Sequence, residues 1–547
     1  IMVIKMQIIK DEGLRRLLSI GEAHRKLQIT VILFALVAIL SEAPVPFLIE
    51  RLLDNVMRKA SFMSAVDVIG LIMFLETISA VAWWFTEYRE QLVEKVAGTR
   101  LQRLAYSKFF RLPEEYHLTH STGEFMSKIT SDVDIAGAIG ASLVLGVAIN
   151  CIRLIIGTVV LLKLSMLLTG ITLVTIPLYY LLLGLFRGKL VKASWRERDQ
   201  YTRVTESVKE GIDGHLIIKT NRKNAYFQEN LGKEIDQWVE KIKNLIKYEV
   251  LSFRMESYFL TVTPLFILGI GVLLSLRDLV ALTVVIAFFY YVRRIYGPTE
   301  RLVNIWTMSQ RGKVAASRIF SILDEVEEHD EGDLEFPEKA PKIEFKDVHF
   351  SYDVADVLKG ITVTVEKGEH VALVGESGAG KSTLIELVLR LYEIREGCIY
   401  IDGVSLNRFK IDSLRDRVVY AGSDPHLFNL TVRENILLGE DSSRDFGRIC
   451  EICQLDFVRD FNVKIGELGV TLSDGQKQRI ALARALIRRP VVLLLDEAIS
   501  GVDAKIEEKI MKSIRDFSPD MTVLSVAHRL STIKEVVPET GYRCCLK

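Results

Sequence analysis

Apolar residues are distributed along the chain in two regimes. Up to about residue 300 they gather in stretches of roughly 20, the length a helix needs to cross a hydrocarbon core about 30 Å thick. Six such stretches predict membrane-spanning helices near 28–49, 65–86, 139–162, 165–186, 255–276 and 279–296. The turns near Lys163 and Arg277 have room for only very short connections. The long segments 88–137 and 187–254 mix charged and apolar residues at helical intervals and hold few glycines or prolines, so they predict helices that continue beyond the membrane. At ~1.5 Å per residue, about 25 further residues reach on the order of 35 Å into the cytoplasm.

From Lys342 onward short β-rich runs alternate with helical patterns, the mark of an α/β domain. The acidic, proline-bearing segment 326–341 separates the regimes. The expected organisation is an all-α polytopic membrane domain of six helices (1–325), a linker (326–341) and an α/β domain (342–547), with no internal repeat.

Charge and cysteine usage narrow the function. Lys plus Arg and Asp plus Glu both total 70, so no bulk attraction to nucleic acid is expected. A hydrophobic share of 49% excludes a disordered chain. Cys450-Glu-Ile-Cys453 has the spacing of a zinc or redox pair, but no second pair accompanies it, and it reads as plain helix. Cys544 and Cys545 stand near a prenylation position, yet Lys547 is a poor terminal residue for that signal. The first apolar stretch follows a charged leader without a small-residue cleavage site, so no secretory signal is expected. Seven Lys or Arg lie in 88–137 and more in 187–254, against only Arg51, Arg58 and Lys59 in 51–64. Both termini and both long loops are therefore placed in the cytoplasm.

Candidate chemistry lies in the second half. The apolar strand Val371–Val374 leads into Gly375, Glu376, Ser377, Gly378, Ala379, Gly380, Lys381, Ser382 and Thr383, followed by a helical run over 384–391. This is GxxxxGKS between a strand and a helix, the setting in which it cradles phosphates. Its glycines let backbone amides turn inward, and the helix N-terminus adds partial positive charge. Lys381 is suited to neutralise β- and γ-phosphates and the Ser382 hydroxyl to ligate Mg²⁺. A second apolar strand over 491–495 ends in Asp496 and Glu497. Beside a phosphate loop, Asp496 suits the magnesium shell and Glu497 the attacking water.

Leu472-Ser473-Asp474-Gly475-Gln476, with the helical run after it, is similar to the signature sequence of ATP-binding-cassette transporters. With the phosphate loop and Asp496-Glu497, the chain resembles their exporter-type half-transporters over nearly its whole length. The resemblance implies that Ser473, Gly475 and Gln476 meet ATP held by an opposing subunit. It also implies that Tyr352 stacks on adenine, His528 contacts the γ-phosphate and Asp503 joins the two nucleotide sites. Leu112-Pro113 with Ser121–Asp134, and more weakly Gly211–Asn221, look like the family's coupling loops.

Four features depart from the family pattern. Ser423 stands where a magnesium-contacting glutamine is expected, and its side chain is too short to span the same gap. Asp474 replaces a glycine and adds negative charge near the γ-phosphate; this is harmless only if the carboxylate points to solvent. For Gly501 and Val502, in place of Ala and Leu, the sequence offers no physical reason. The chain after His528 is shorter than the family's, which implies an abbreviated last sheet edge.

Glu42, Glu76, Asn150, Arg153 and Glu256 fall within the predicted spans. An ionisable group at mid-bilayer costs ~3 kcal/mol or more, so these should face the bundle interior or a wet cavity. They line a substrate passage or, equally, pair to hold helices together, as Arg153 would with Glu76 or Glu42. Pro44, Pro46, Pro177 and Pro264 mark expected kinks.

The resemblance implies ATP and Mg²⁺ as cofactors and a second copy or a related half-transporter as partner. It further implies ATP-driven export of an amphipathic drug-like compound, lipid or peptide across a prokaryotic inner membrane. The alternatives are a regulatory or weakly hydrolysing half, or an importing or channel-like member.

Overall fold

The computed structural model describes residues 12–22, 25–58, 62–352, 356–376, 378–440, 445–465, 472–526 and 545–546. The chain divides into two compact units, one of residues 1–109 and 123–324, the other of residues 110–122 and 325–547.

Among the described residues the secondary structure of the first unit is all helical. Helix α1 (Glu12–Glu22) buries Leu14 and Leu17. Helices α2 (Arg25–Glu42) and α3 (Val45–Met57) are separated at Ala43 and Pro44. Pro46 lies in the first turn of α3, where a missing N–H costs nothing. Helix α4 (Phe62–Phe109) is followed by α5 (Glu114–Thr119), which belongs to the second unit, and by α6 (Thr122–Ser127). A π turn over Lys128–Asp132 leads into α7 (Val133–Leu164). The remaining helices are α8 (Met166–Asp213), α9 (His215–Thr220), α10 (Asn224–Ser275) and α11 (Leu282–Leu323).

Helices α4 and α8 have 48 residues and α10 has 52, so each continues well past the roughly 20 that a bilayer requires. Pro177 and Pro264 lie inside unbroken helices. The expected tight turn near Lys163 is Ser165 alone, whose hydroxyl caps α8 by accepting from Leu168 N–H at 3.4 Å. The segment resembling a first coupling loop resolves into the short helix α5 and the separate start of α6.

Among the described residues, four helices are long and apolar enough to cross a membrane: Arg25–Met57, Phe62–Phe109, Thr122–Leu164 and Asn224–Ser275. The expected span 165–186 lies within α8, where Met166–Tyr179 is an apolar helical stretch; the side chains at 180, 182, 183, 185 and 186 lie outside the described ones. The expected span 279–296 lies largely within α11, which is not one of these four and carries Arg293 and Arg294 in its apolar run. Helices α4 and α7 cross so closely that a Cβ on Gly137 would lie 2.6 Å from the Cα of Gly98. No larger residue fits that crossing without parting the helices.

Among its described residues the second unit holds two sheets. Strands β1 (Ile343–Phe350), β2 (Leu358–Val365), β4 (Glu396–Ile401) and β5 (Val404–Ser405) form an antiparallel sheet in the order β2-β1-β4-β5. Strands β3 (His370–Gly375), β6 (Val418–Ala421), β7 (Val492–Asp496), β8 (Thr522–Val526) and β9 (Cys545–Leu546) form a parallel sheet in the order β6-β7-β8-β3-β9. Val492, Leu493, Leu494 and Leu495 are all buried, as a strand covered on both faces requires. The helices are α12 (Lys381–Val388), α13 (Ile411–Arg417), α14 (Val432–Leu437), α15 (Phe446–Ile452), α16 (Asp474–Ile487) and α17 (Ala504–Phe517). The Cys450/Cys453 spacing belongs to α15 and its cap, Cys453 is buried in the core, and both sulfurs are free thiols.

The acidity of segment 326–341 has a structural reason. Glu328 pairs with Arg415 at 2.7 Å, Asp333 with Arg408 at 2.6 Å and Asp330 with Arg390 at 3.6 Å, while Glu335 pairs with Lys410. The segment is laced to a basic strip over 390–415, and Phe336 is buried as its apolar anchor.

His370, at the start of β3, stacks a pH sensitivity onto this unit. Burial, then the charge of Arg515, pushes its imidazole down to about 4. Between pH 6.5 and 4 the unfolded chain takes up a proton that the folded chain refuses, so stability is full above 6.5 and declines as pH falls. Taking the pH from 7 to 5 is expected to cost about 1 kcal/mol after allowance for partial exposure. Thermal unfolding of the His370→Gln variant should lose that share of the acid slope, and an unaltered slope would refute the assignment.

Candidate functional site

The phosphate loop lies between β3 and α12. Gly378 and Gly380 hold φ of 84° and 83°, the left-handed region that glycine occupies without strain. A Cβ on Gly380 would also lie 2.5 Å from Leu358 Cδ2. Lys381 is buried, and its ammonium donates to the carbonyls of Gly375 at 3.0 Å and Glu376 at 2.7 Å. Among the described residues no carboxylate pairs with it. A buried ammonium whose partners are neutral carbonyls is suited to pair with an anion, and the N-terminus of α12 faces the same turn, so these residues fit a phosphate. Ser377 lies outside the described residues, as does His528.

Tyr352 reaches the same helix. Its hydroxyl donates to Glu386 Oε2 at 2.5 Å and meets Thr383 Oγ1 at 3.0 Å. Its ring stands edge-on to Phe350 and Tyr392, with centroids 4.9 and 5.1 Å away, and is 44% exposed. An anchored aromatic with an open face can stack on a purine ring.

Strand β7 carries Asp496 to the same end of the sheet, in register with Val526. Glu497 follows at a φ of 52°, and its carbonyl accepts from Ser500 N–H at 3.1 Å, closing a tight turn. Negative charge is concentrated here. Burial, then Asp496 and Glu386, pushes Tyr420 up to about 12. Glu386 is raised by burial and further by Asp496 and Glu114. The Asp496 carboxylate and the Ser382 hydroxyl are oxygen donors of the kind Mg²⁺ takes together with water and phosphate, so these residue types fit that ion.

The signature segment opens α16. Ser473 Oγ accepts from Gln476 N–H at 3.3 Å, while Gln476 Oε1 accepts from Ser473 N–H at 2.9 Å, a reciprocal capping box. This cap occupies the Gln476 oxygen and leaves the Ser473 O–H proton and the first amides of the helix for a ligand. Asp503, the residue before α17, is exposed.

Charges inside the helical unit form a lattice. Glu42, only 7% exposed, accepts from Ser79 Oγ at 2.7 Å and Trp83 Nε1 at 2.8 Å. Arg294 Nη1 lies 2.7 Å from Glu42 Oε2, and Arg294 Nη2 donates to Glu76 Oε1 at 2.7 Å. Arg153 stands 3.7 Å from Glu42 and 4.6 Å above the Trp83 ring. Two cations thus balance two anions. Arg294 was not among the residues expected from sequence, although its place in an apolar run was the signal for it. Asn150 donates to its own helix at Gly146 and lines a cavity of about 250 Å³ with Trp83, Glu90, Ile149, Arg301 and Met308, so Trp83 borders both lattice and cavity. Glu256 accepts from the Tyr179 hydroxyl at 2.8 Å, apart from that cavity.

A model of the ABC transporter transmembrane region matches residues 29–298, and a model of the ABC transporter matches residues 358–500. Together they cover well over half of the chain. The chain belongs to the ABC transporters. Two Staphylococcus aureus proteins named for multidrug export as ATP-binding/permease proteins, from strains bovine RF122 / ET3-1 and NCTC 8325 / PS 47, are each 29% identical over 522 residues. Each alignment covers 91% of this transporter and 90% of the relative. A solved bacterial Atm1-family ABC exporter with ATP bound shares the fold, with a TM-score of 0.78 at 23% identity over 93% of this chain and 92% of that one.

Three departures of this transporter from its family's pattern now have a physical setting. Asp474 is 86% exposed at the side chain and pairs with Lys477 at 3.0 Å on its own helix, so its charge points outward and is balanced locally. Gly501 passes so near the signature helix that a Cβ would lie 3.1 Å from Gln478 Oε1 and 3.2 Å from Gly475 N, while Val502 is buried in the core. Ser423 lines a cavity of about 710 Å³ with Tyr420, Asp424, Arg484 and Arg488, and its backbone carbonyl accepts from Gln478 Nε2 of α16 at 2.8 Å.

Proposed function

We propose that this ABC transporter is an exporter half that works as a dimer, driving an amphipathic compound across a membrane by ATP hydrolysis and alternating access. The observation that carries the reading is Lys381, a buried ammonium without a carboxylate partner among the described residues, held at a phosphate loop whose chain also carries a helical membrane unit. In this reading Lys381 and the loop amides hold the β- and γ-phosphates, and Tyr352 stacks on the adenine. Ser382 and Asp496 hold Mg²⁺, with Ser423 reaching it through water; the ion offsets charge on the transferred phosphoryl group. Glu497 takes the proton of the attacking water, and His528 contacts the γ-phosphate. Ser473, Gly475 and Gln476 of one copy face the ATP of the other, and Asp503 links the two sites. Six spans with cytoplasmic termini in a bacterial inner membrane complete the proposal, with Arg294 inside the sixth.

An amphipathic cargo suits the mixed lining of the cavity beside Asn150, which Ile149 and Met308 share with Glu90 and Arg301. Inverted membrane vesicles containing the purified chain should accumulate such a compound only with ATP, and the same compound should stimulate ATP turnover in nanodiscs. A panel of amphipathic cations, lipids and peptides that neither accumulates nor stimulates turnover would sink the export reading. Ser423 motivates a second reading, a half that relies on a catalytic partner; a chain that binds ATP but turns it over only when mixed with a related half would favour it.

A further inference from the structure

Gln478 is only 3% exposed, although it is a polar residue on the packed face of α16. Both ends of its amide are engaged. Nε2 donates to the Ser423 carbonyl at 2.8 Å and lies 3.4 Å from Ser500 Oγ, while Oε1 accepts from Gly501 N–H at 2.9 Å. One turn away on the same helix, a Cβ on Gly475 would lie 2.4 Å from the Gly501 carbonyl oxygen. Three segments therefore converge on a single side chain: the loop after β6, the opening of the signature helix, and the turn that runs from Glu497 to Asp503.

We propose that Gln478 is a positioning residue for ATP hydrolysis, fixing the Ser423 loop and the Glu497–Asp503 turn against the signature helix so that all three move as one body. This rests on the reading of the site as an ATPase. A primary amide suits the task because it presents a donor and an acceptor in one rigid plane, which no carboxylate, hydroxyl or apolar side chain of that size does. The tie matters more here than a longer residue at 423 would require. The Ser423 side chain is short, so the loop's place is set through its backbone carbonyl, and that carbonyl belongs to Gln478. The bare Gly501 is part of the same device, since a side chain there would crowd the Gln478 oxygen.

The test uses the full-length chain in lipid nanodiscs. Gln478→Met keeps the volume and removes both bonds, and Gln478→Glu keeps the acceptor for Gly501 and removes the donor to Ser423. The expected result is a kcat lowered about 10- to 100-fold in Gln478→Met and by at least as much in Gln478→Glu, whose carboxylate would set an oxygen against the Ser423 carbonyl oxygen with no proton between them. Binding of a fluorescent ATP analogue should stay within about twofold of the parent in Gln478→Met, because the Gln478 amide bonds run to Ser423, Ser500 and Gly501 and not to the described residues of the phosphate loop, and its Tm should shift by only a few degrees. Turnover within about twofold of the parent in both variants would overturn the proposal. So would ATP affinity and Tm that fall in step with kcat, since that is the behaviour of a merely structural residue. If Gln478→Met fails to fold, Gln478→Glu carries the same comparison. A parent chain that never hydrolyses ATP overturns the site reading and the proposal with it, whereas an active parent with indifferent variants overturns the proposal alone.

Discussion

Replacing Glu497 with Gln is expected to lower steady-state ATP turnover by about 10²- to 10⁴-fold while leaving ATP affinity within about twofold. The substitution keeps the size of the side chain and the left-handed turn that carries it, at a φ of 52° after β7. It removes only the capacity to take a proton from water. The anion site is built from other residues: the ammonium of Lys381, held by the carbonyls of Gly375 and Glu376, and the start of α12. Binding and turnover should therefore separate. Phosphate release and equilibrium binding of an ATP analogue, measured on one preparation, provide the comparison. Unchanged turnover in Glu497→Gln would remove the general base from the mechanism. The converse variant, Lys381→Ala, should lose binding first, because nothing else among the described residues places a cation inside the loop.

The second large effect is expected at Arg294, whose replacement by Gln should destabilise the helical unit by about 3–5 kcal/mol. Glu42 is held on one side by Ser79 and Trp83 and on the other by Arg294, with Arg153 farther away at 3.7 Å. Removing Arg294 leaves Glu76 without its arginine and the buried Glu42 with only the more distant Arg153. The loss should appear as a lowered midpoint of thermal unfolding and a lower yield of monodisperse protein. Adding Glu76→Gln to Arg294→Gln restores the charge balance and should recover a good part of the loss. A double variant no more stable than the single one would show that the arginine acts through packing alone. Asn150→Ala, which changes a cavity wall and breaks only a bond to its own helix, should leave stability nearly unchanged and alter stimulation by substrate instead.

These two sites were legible in the sequence to different degrees. Gly375–Thr383 needs only its own residues and its flanking strand and helix to declare itself, because positive φ at glycines and a lysine at the head of a helix are local properties of the backbone. Asp496 and Glu497 are read the same way, as the end of an apolar strand, and so is the capping pair Ser473 and Gln476. The outward aim of Asp474 was not readable until Lys477 was seen to meet it, although the two are only three residues apart.

The sequence alone thus determined the apolar stretches, the α/β alternation beyond residue 342 and the phosphate-loop chemistry, all of which are written in periodicities and turns spanning a few residues. Only the tertiary structure decided that Arg294 joins Glu42 and Glu76, across 218 positions in the second case, that the acidic segment 326–341 is laced to a basic strip, and that Gln478 binds Ser423 and Gly501. The reason is physical. Local conformation follows from each residue's own sterics and nearest neighbours, whereas the partner of a buried charge or amide is whichever complementary group the packing of distant elements brings within about 3 Å.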